Sequence, residues 1–240
     1  MKKILFQGLL CLACLTFTGC QTARMAIPPD LEQQAEVLPC VGRGGFQLKE
    51  KLSFGGYEVQ SVKRGWTSRF TWDVVVYEHS TIKTKFEFEL KTPGGALWQG
   101  HAANGVKRGD VTGILVAGGT LDWGVSFDMN YVVNLGLAGQ SNGWSLVMGE
   151  KGVTERIMKG RFSDGHTVFD VEGTRELAGT PIPLMETAGF VIYLGGAPVA
   201  AVDLLNEGSV RFDRQLAPAQ RDALAAAATA LLLYRDISER

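Results

Sequence analysis

Leu121-Asp122-Trp123-Gly124-Val125-Ser126-Phe127-Asp128-Met129-Asn130-Tyr131-Val132-Val133-Asn134-Leu135-Gly136-Leu137 decides the fold class: every odd position is apolar, and the even positions carry Asp, Gly, Ser, Asn and one Val. A period of two marks β-structure with one dry face and one wet face. The stretch exceeds the usual strand of roughly 3 to 10 residues, so it reads as one long bent strand or as two strands broken near Asp128 to Asn130. Either way it lays a broad apolar face on one side of a sheet. Trp123, Phe127 and Tyr131 set three aromatic rings on that face and are the candidate ligand-binding residues, should it line a cavity.

The same alternation recurs on both sides. Lys85-Phe86-Glu87-Phe88-Glu89-Leu90 alternates without error, and Phe70 to Tyr77 precedes it as a further strand. Phe46, Leu48, Leu52 and Phe54 fall at even spacing before Gly55-Gly56 and Tyr57 to Val62, a hairpin signal. Downstream, Trp144 to Met148, Glu155 to Phe162, Thr167 to Gly173, Phe190 to Leu194, Val199 to Leu205 and Ser209 to Phe212 read as strands. Gly-Gly pairs start at positions 44, 55, 94, 118 and 195, each between strand-like runs. Glycine accepts the positive φ of tight turns, so these pairs punctuate a meander. Phosphate loops need a helix after the glycines, and none follows. The strands are short and carry charges on both faces, which disfavours a transmembrane barrel. The expectation is a mainly β fold, an antiparallel β-sandwich or open barrel.

The end of the chain changes character. Pro218 suits a first helical turn, and residues 217–235 are rich in Ala and Leu, the strongest helix formers. Leu224, Ala227, Ala228, Leu231 and Tyr234 recur at helical spacing. The uncharged run from Ala223 to Tyr234 is too short to span a bilayer, and the cationic face of a membrane-surface helix is missing. One helix, packed across the open face of the sheet or closing one end of it, is expected.

At the other terminus, Met1-Lys2-Lys3 is basic, Ile4 to Phe17 is mostly apolar, and Leu15-Thr16-Phe17-Thr18-Gly19-Cys20 ends in small residues before a cysteine. This is a secretory signal, too short to be a retained membrane helix. Its end resembles a bacterial lipoprotein signal, in which a Gly or Ala precedes the Cys. The resemblance covers the first twenty-odd residues and implies cleavage before Cys20, acylation of Cys20 with palmitate among its chains, and an outer-membrane destination given Gln21. A multiply acylated cysteine anchors stably, at about 0.8 kcal/mol per buried CH₂. Residues 20–39 read as lipidated cysteine and flexible tether: Pro28-Pro29 disfavours helix, and Asp30 to Val37 has room for one short helix capped at Asp30.

Charge is balanced, with 24 Lys and Arg against 25 Asp and Glu, and no basic stripe runs along the chain. Nucleic acid is therefore excluded as a partner. Cys11 and Cys14 leave with the signal, which makes Cys40 the one unlipidated cysteine, expected to be buried. Gly139-Gln140-Ser141-Asn142-Gly143, with Asp164 and His166 after it, spells a nucleophile elbow on paper. The elbow needs a strand-to-helix turn, and Trp144 to Val147 reads as strand. His79, His101 and His166 lack the short spacing of a metal site. No catalytic residue, metal or cofactor is expected.

The organisation expected is thus a signal over 1–19, an anchor and tether over 20–39, and a single β-rich domain over 40–240 ending in a helix at 217–235. The function expected is a non-enzymatic binding or scaffold component of the cell envelope. It would be held to the outer membrane through Cys20, facing the periplasm, with an envelope protein as partner. The alternative is a carrier or sensor of an apolar ligand such as a lipid, and a serine esterase stands far behind. A cavity lined by the odd positions of 121–137 favours the carrier; a filled interior favours the scaffold.

Overall fold

The computed structural model describes residues 22–43, 51–65, 81–106, 110–111, 114–116, 119–121, 125–126, 129–140, 143–151 and 155–234. In chain order the elements are α1 Pro29–Gln34, β1 Ala35–Val41, β2 Ser53–Phe54, β3 Tyr57–Arg64, β4 Thr81–Lys91 and β5 Leu97–Val106. Four short strands follow, β6 Asp110–Val111, β7 Ile114–Val116, β8 Gly119–Leu121 and β9 Val125–Ser126. The chain continues through β10 Met129–Leu137, β11 Gly143–Lys151, β12 Glu155–Ser163, β13 Val168–Thr174, β14 Gly189–Leu194, β15 Ala197–Asp203, β16 Ser209–Asp213 and α2 Pro218–Leu233. Twelve strands close into one antiparallel barrel in the order β1-β16-β15-β14-β13-β12-β11-β10-β5-β4-β3-β2. The other four form two small ladders, β6 with β9 and β7 with β8.

The sheet is closed, neither a sandwich nor an open barrel, and the strand that closes it lies where the sequence suggested a tether. β1 pairs through Ala35–Pro39 with β16 and through Cys40 and Val41 with β2, joining the two edges of the meander. Pro39 sits where β1 changes partner, a position at which a missing N–H is tolerated. The segment before β1 is not loose either. Met25 and Leu31 are fully buried against Ala188, Val191 and Ala201 on the outer wall. The short helix is Pro29–Gln34, and the residue at its N-cap is Pro28, with no side-chain cap, so Asp30 does not cap it. Pro29 occupies the first helical turn, where proline needs no N–H partner.

Alternation sorts the strands as expected. Phe86, Phe88 and Leu90 point in, while Glu87 and Glu89 on the same strand are half-exposed. β14 and β15 are apolar almost throughout because both of their faces are covered, by the interior on one side and by the N-terminal segment on the other. The Gly55-Gly56 and Gly195-Gly196 pairs turn the β2–β3 and β14–β15 hairpins with φ of 53° and 84°, and 59° and 85°, the positive values such turns require. Of the odd-position stretch, Met129–Leu137 forms β10, Leu121 ends β8 and Val125 starts β9, while residues 122–124 and 127–128 lie outside the described residues. Phe70 to Tyr77 and Phe46 to Glu50 lie outside the described residues.

α2 corrects the expectation most. It does not lie across an open face; it runs through the barrel. Ala223 to Leu233 are all buried, with relative exposures of 0–4%, so the helix is enclosed on every side. Barrels of about eight strands fill with their own side chains, and those of sixteen or more leave a channel. At twelve, a helix about 10 Å across fits only if its side chains are small. The barrel wall supplies the large ones, Phe54, Phe88, Phe162, Phe169, Phe190 and Phe212, and α2 supplies alanines. Thr229, the one polar residue in the buried run, donates to Ala225 O at 2.8 Å.

Candidate functional site

Because the wall is a meander, the two rims differ. One carries short hairpins, at 55–56, 92–96, 138–142, 164–167 and 195–196; the other carries the longer connections 42–52, 65–80, 107–128 and 175–188. α2 enters at the short rim and ends at the long one. At entry, Tyr57 donates to Asp222 Oδ1 at 2.9 Å, and Arg221 pairs with Glu36 while its guanidinium lies 5.3 Å from the Phe212 ring.

A helix end leaves carbonyls without internal partners, a serious cost inside an apolar barrel. Here each finds one. Tyr131 donates its hydroxyl to Ala230 O at 2.8 Å, and Tyr234 N–H reaches Ala230 O and Leu231 O at 3.0 and 3.3 Å. Arg43 Nε donates to Leu232 O at 3.2 Å, and Arg64 Nη2 to Leu233 O at 3.0 Å. Arg43 also ties Leu204 O, and Arg64 lies 5.1 Å over the Phe86 ring. Two cations thus meet the negative end of the helix dipole. They border a pocket of about 200 Å³, closed by Leu52, Asn206, Leu232 and Tyr234. Nothing in the sequence pattern around Arg43 or Arg64 marks them for this; their role follows from where the helix stops.

Tyr131 is accordingly not a wall of a ligand cavity. It is 1% exposed, packs against Tyr234 with centroids 4.6 Å apart and ring planes tilted by 56°, and burial pushes its hydroxyl well above the ordinary tyrosine range. Val133 and Leu135, on the same face, are equally buried in the core that α2 completes. Trp123, Phe127 and Cys20 lie outside the described residues. Cys40 is buried on β1, and its thiol is pushed up to about 12, chiefly by burial, so it is protonated and unreactive at neutral pH. Two polar groups on β5 are buried without a partner among the described residues: the amide of Asn104, opposite Tyr131, and the indole Nε1 of Trp98.

The other sequence candidates do not assemble. Ser141 lies outside the described residues, and β11 begins at Gly143, so the turn leads into a strand. Asp164 Oδ1 accepts from the backbone N–H groups of His166 and Thr167, closing the β12–β13 turn. His101 is 3.6 Å from Glu87 across β4 and β5. Among the described residues no three metal-ligating side chains come together. On the outer wall a shallow groove of about 450 Å³ runs over β12 to β14, lined by Lys159, Arg161, Asp170, Glu172 and Tyr193. Its charges face partners at 3.2 Å, Lys159 to Glu172 and Arg161 to Asp170, and hold no group aimed at a ligand.

The long rim, where the helix end meets Arg43 and Arg64, is therefore the candidate site. Comparison with known proteins finds no matching family model, no matching curated protein and no matching solved structure.

Proposed function

We propose that this chain is an envelope lipoprotein, attached to the outer membrane through acylated Cys20 and facing the periplasm, whose barrel is a non-enzymatic binding or scaffold domain. The observation that carries this reading is the occupancy of the barrel by its own helix. The apolar face that would have held a lipid, with Tyr131, Val133 and Leu135 on it, packs against α2. Such a barrel offers a partner its rims and outer wall. The carrier reading has one observation on its side, the unpartnered amide of Asn104.

The anchor is tested by expressing the full chain in a Gram-negative host fed labelled palmitate. The wild-type protein is expected to take up label and sediment with the outer membrane, and Cys20→Ala to lose both, appearing in the periplasmic fraction. A Cys20→Ala protein that still takes up label overturns the reading.

A further inference from the structure

The connection between β13 and β14, residues 175–188, is braced on the long rim. Leu184 N–H donates to Arg175 O at 2.9 Å and Ala188 N–H to Thr174 O at 2.7 Å, while Leu177 bridges Thr180 within the loop. Leu177 and Leu184 pack against the outer-wall cluster that holds Met25, Leu31 and Val191. Pro181 and Pro183 fix φ on either side of Ile182, whose own N–H donates to Thr180 Oγ1 at 3.2 Å.

What this braced loop presents outward is apolar. Ile182 is 72% exposed and Met185 92%, the highest values among the large apolar side chains of the described residues. Single exposed apolar residues are ordinary. Here two stand three positions apart, on a loop whose leucines pack inward. No charged residue occurs from Leu177 to Met185, and Arg175, Glu176 and Glu186 bound the run.

The chain's own anchor decides what lies beside them. The segment that leads from Cys20 runs antiparallel along this loop: Ala26 N–H donates to Glu176 O and Ala178 N–H to Arg24 O, both at 2.9 Å, and Met25 bridges Leu177. The Ala23 carbonyl accepts from Asn206 Nδ2 at 2.7 Å, and Met25 N–H donates to Asp203 Oδ2 at 3.1 Å. With Met25 and Leu31 buried, residues 23–34 offer no slack. Three residues of chain separate Ala23 from Cys20, about 10 Å at full stretch. A lipid on Cys20 therefore holds the 175–188 loop close to the bilayer surface.

We propose that residues 175–188 form a membrane-contact loop, with Ile182 and Met185 seated at the boundary between the headgroups and acyl chains of the bilayer that holds the anchor. The long rim then faces the membrane, and the short hairpins point away from it. The loop backbone stays at headgroup level, because irregular chain does not enter the hydrocarbon, and exposed Glu176 and Glu186 set the same depth. The inference rests on the lipid anchor of the preceding section.

The test uses the full lipidated chain in vesicles of phosphatidylethanolamine and phosphatidylglycerol. Buried Cys40 and acylated Cys20 leave an introduced cysteine as the reactive thiol. A nitrobenzoxadiazole label at Met185→Cys, or at Ile182→Cys should that variant accumulate poorly, is compared with one at Gln140→Cys on the short rim. The loop label is expected to emit at shorter wavelength than the Gln140 label and to be quenched at least threefold more by doxyl-labelled lipid. Equal quenching at both sites in protein that floats with the vesicles overturns the membrane contact and leaves the anchor intact. A loop label whose emission follows protein concentration and ignores lipid quencher also overturns it, pointing to a second copy of the chain. Failure to float overturns the anchor and, with it, the inference.

Discussion

A chain ending at Ala217, with the whole barrel wall but no α2, is expected not to fold. Leu224, Leu231, Leu232 and Leu233 are each buried to within a few per cent. Loss of a buried leucine side chain costs about 2–5 kcal/mol, so four of them account for about as much as the 5–15 kcal/mol by which a typical domain is stable. The alanines add to that, since every phenylalanine facing them would line a void. The truncated chain should show strand-type far-ultraviolet dichroism at most, no near-ultraviolet signal, binding of a hydrophobic dye and no cooperative unfolding. A sharp two-state transition from this protein would mean that the wall is stable without its filling.

The second large effect comes from one atom group in the middle of that helix. Ala226→Asp places a carboxylate where the neighbours are core residues and the capping cations, Arg43 and Arg64, bind the carbonyls of Leu232 and Leu233, six and seven residues further along. An unpaired buried charge costs about 3–5 kcal/mol, and the added volume about 1–3 kcal/mol more. Ala219→Asp on the exposed first turn of the same helix is the control, expected within about 0.5 kcal/mol of wild type. Urea midpoints decide between them. If the two variants unfold together, the helix does not lie inside the barrel.

How much of this was legible depended on which forces act locally. The alternation of Lys85 to Leu90 and of Met129 to Leu137 reports a wall with one wet face, and the strands stand where it put them. β1 was hidden because Pro28, Pro29 and Pro39 are local signals against regular structure, whereas the pairing of Ala35–Pro39 with Ser209–Asp213 is a contact across almost the whole chain. Closure followed from that strand and was hidden with it. The helix was legible as a helix, and its uncharged circumference from Ala223 to Leu233 is what an enclosed helix needs. Its place inside the wall was not legible, because an interior exists only once β1 joins the two edges of the sheet. The candidate site was least legible: Arg43 and Arg64 acquire meaning only from a helix end some 170 to 190 residues away in sequence. The odd-position aromatics Trp123, Phe127 and Tyr131 looked alike on one strand, yet Tyr131 belongs to the barrel and serves the helix.

The central claim is that the barrel is filled by its own chain and works from its surface. Native mass spectrometry of residues 21–240, purified from the periplasm without the acylated cysteine, tests it most directly. The account predicts a single species at the mass of the polypeptide. A lipid-sized adduct that survives transfer and is lost in Asn104→Leu, with the fold unchanged by dichroism, would contradict it and return the interior to the carrier reading.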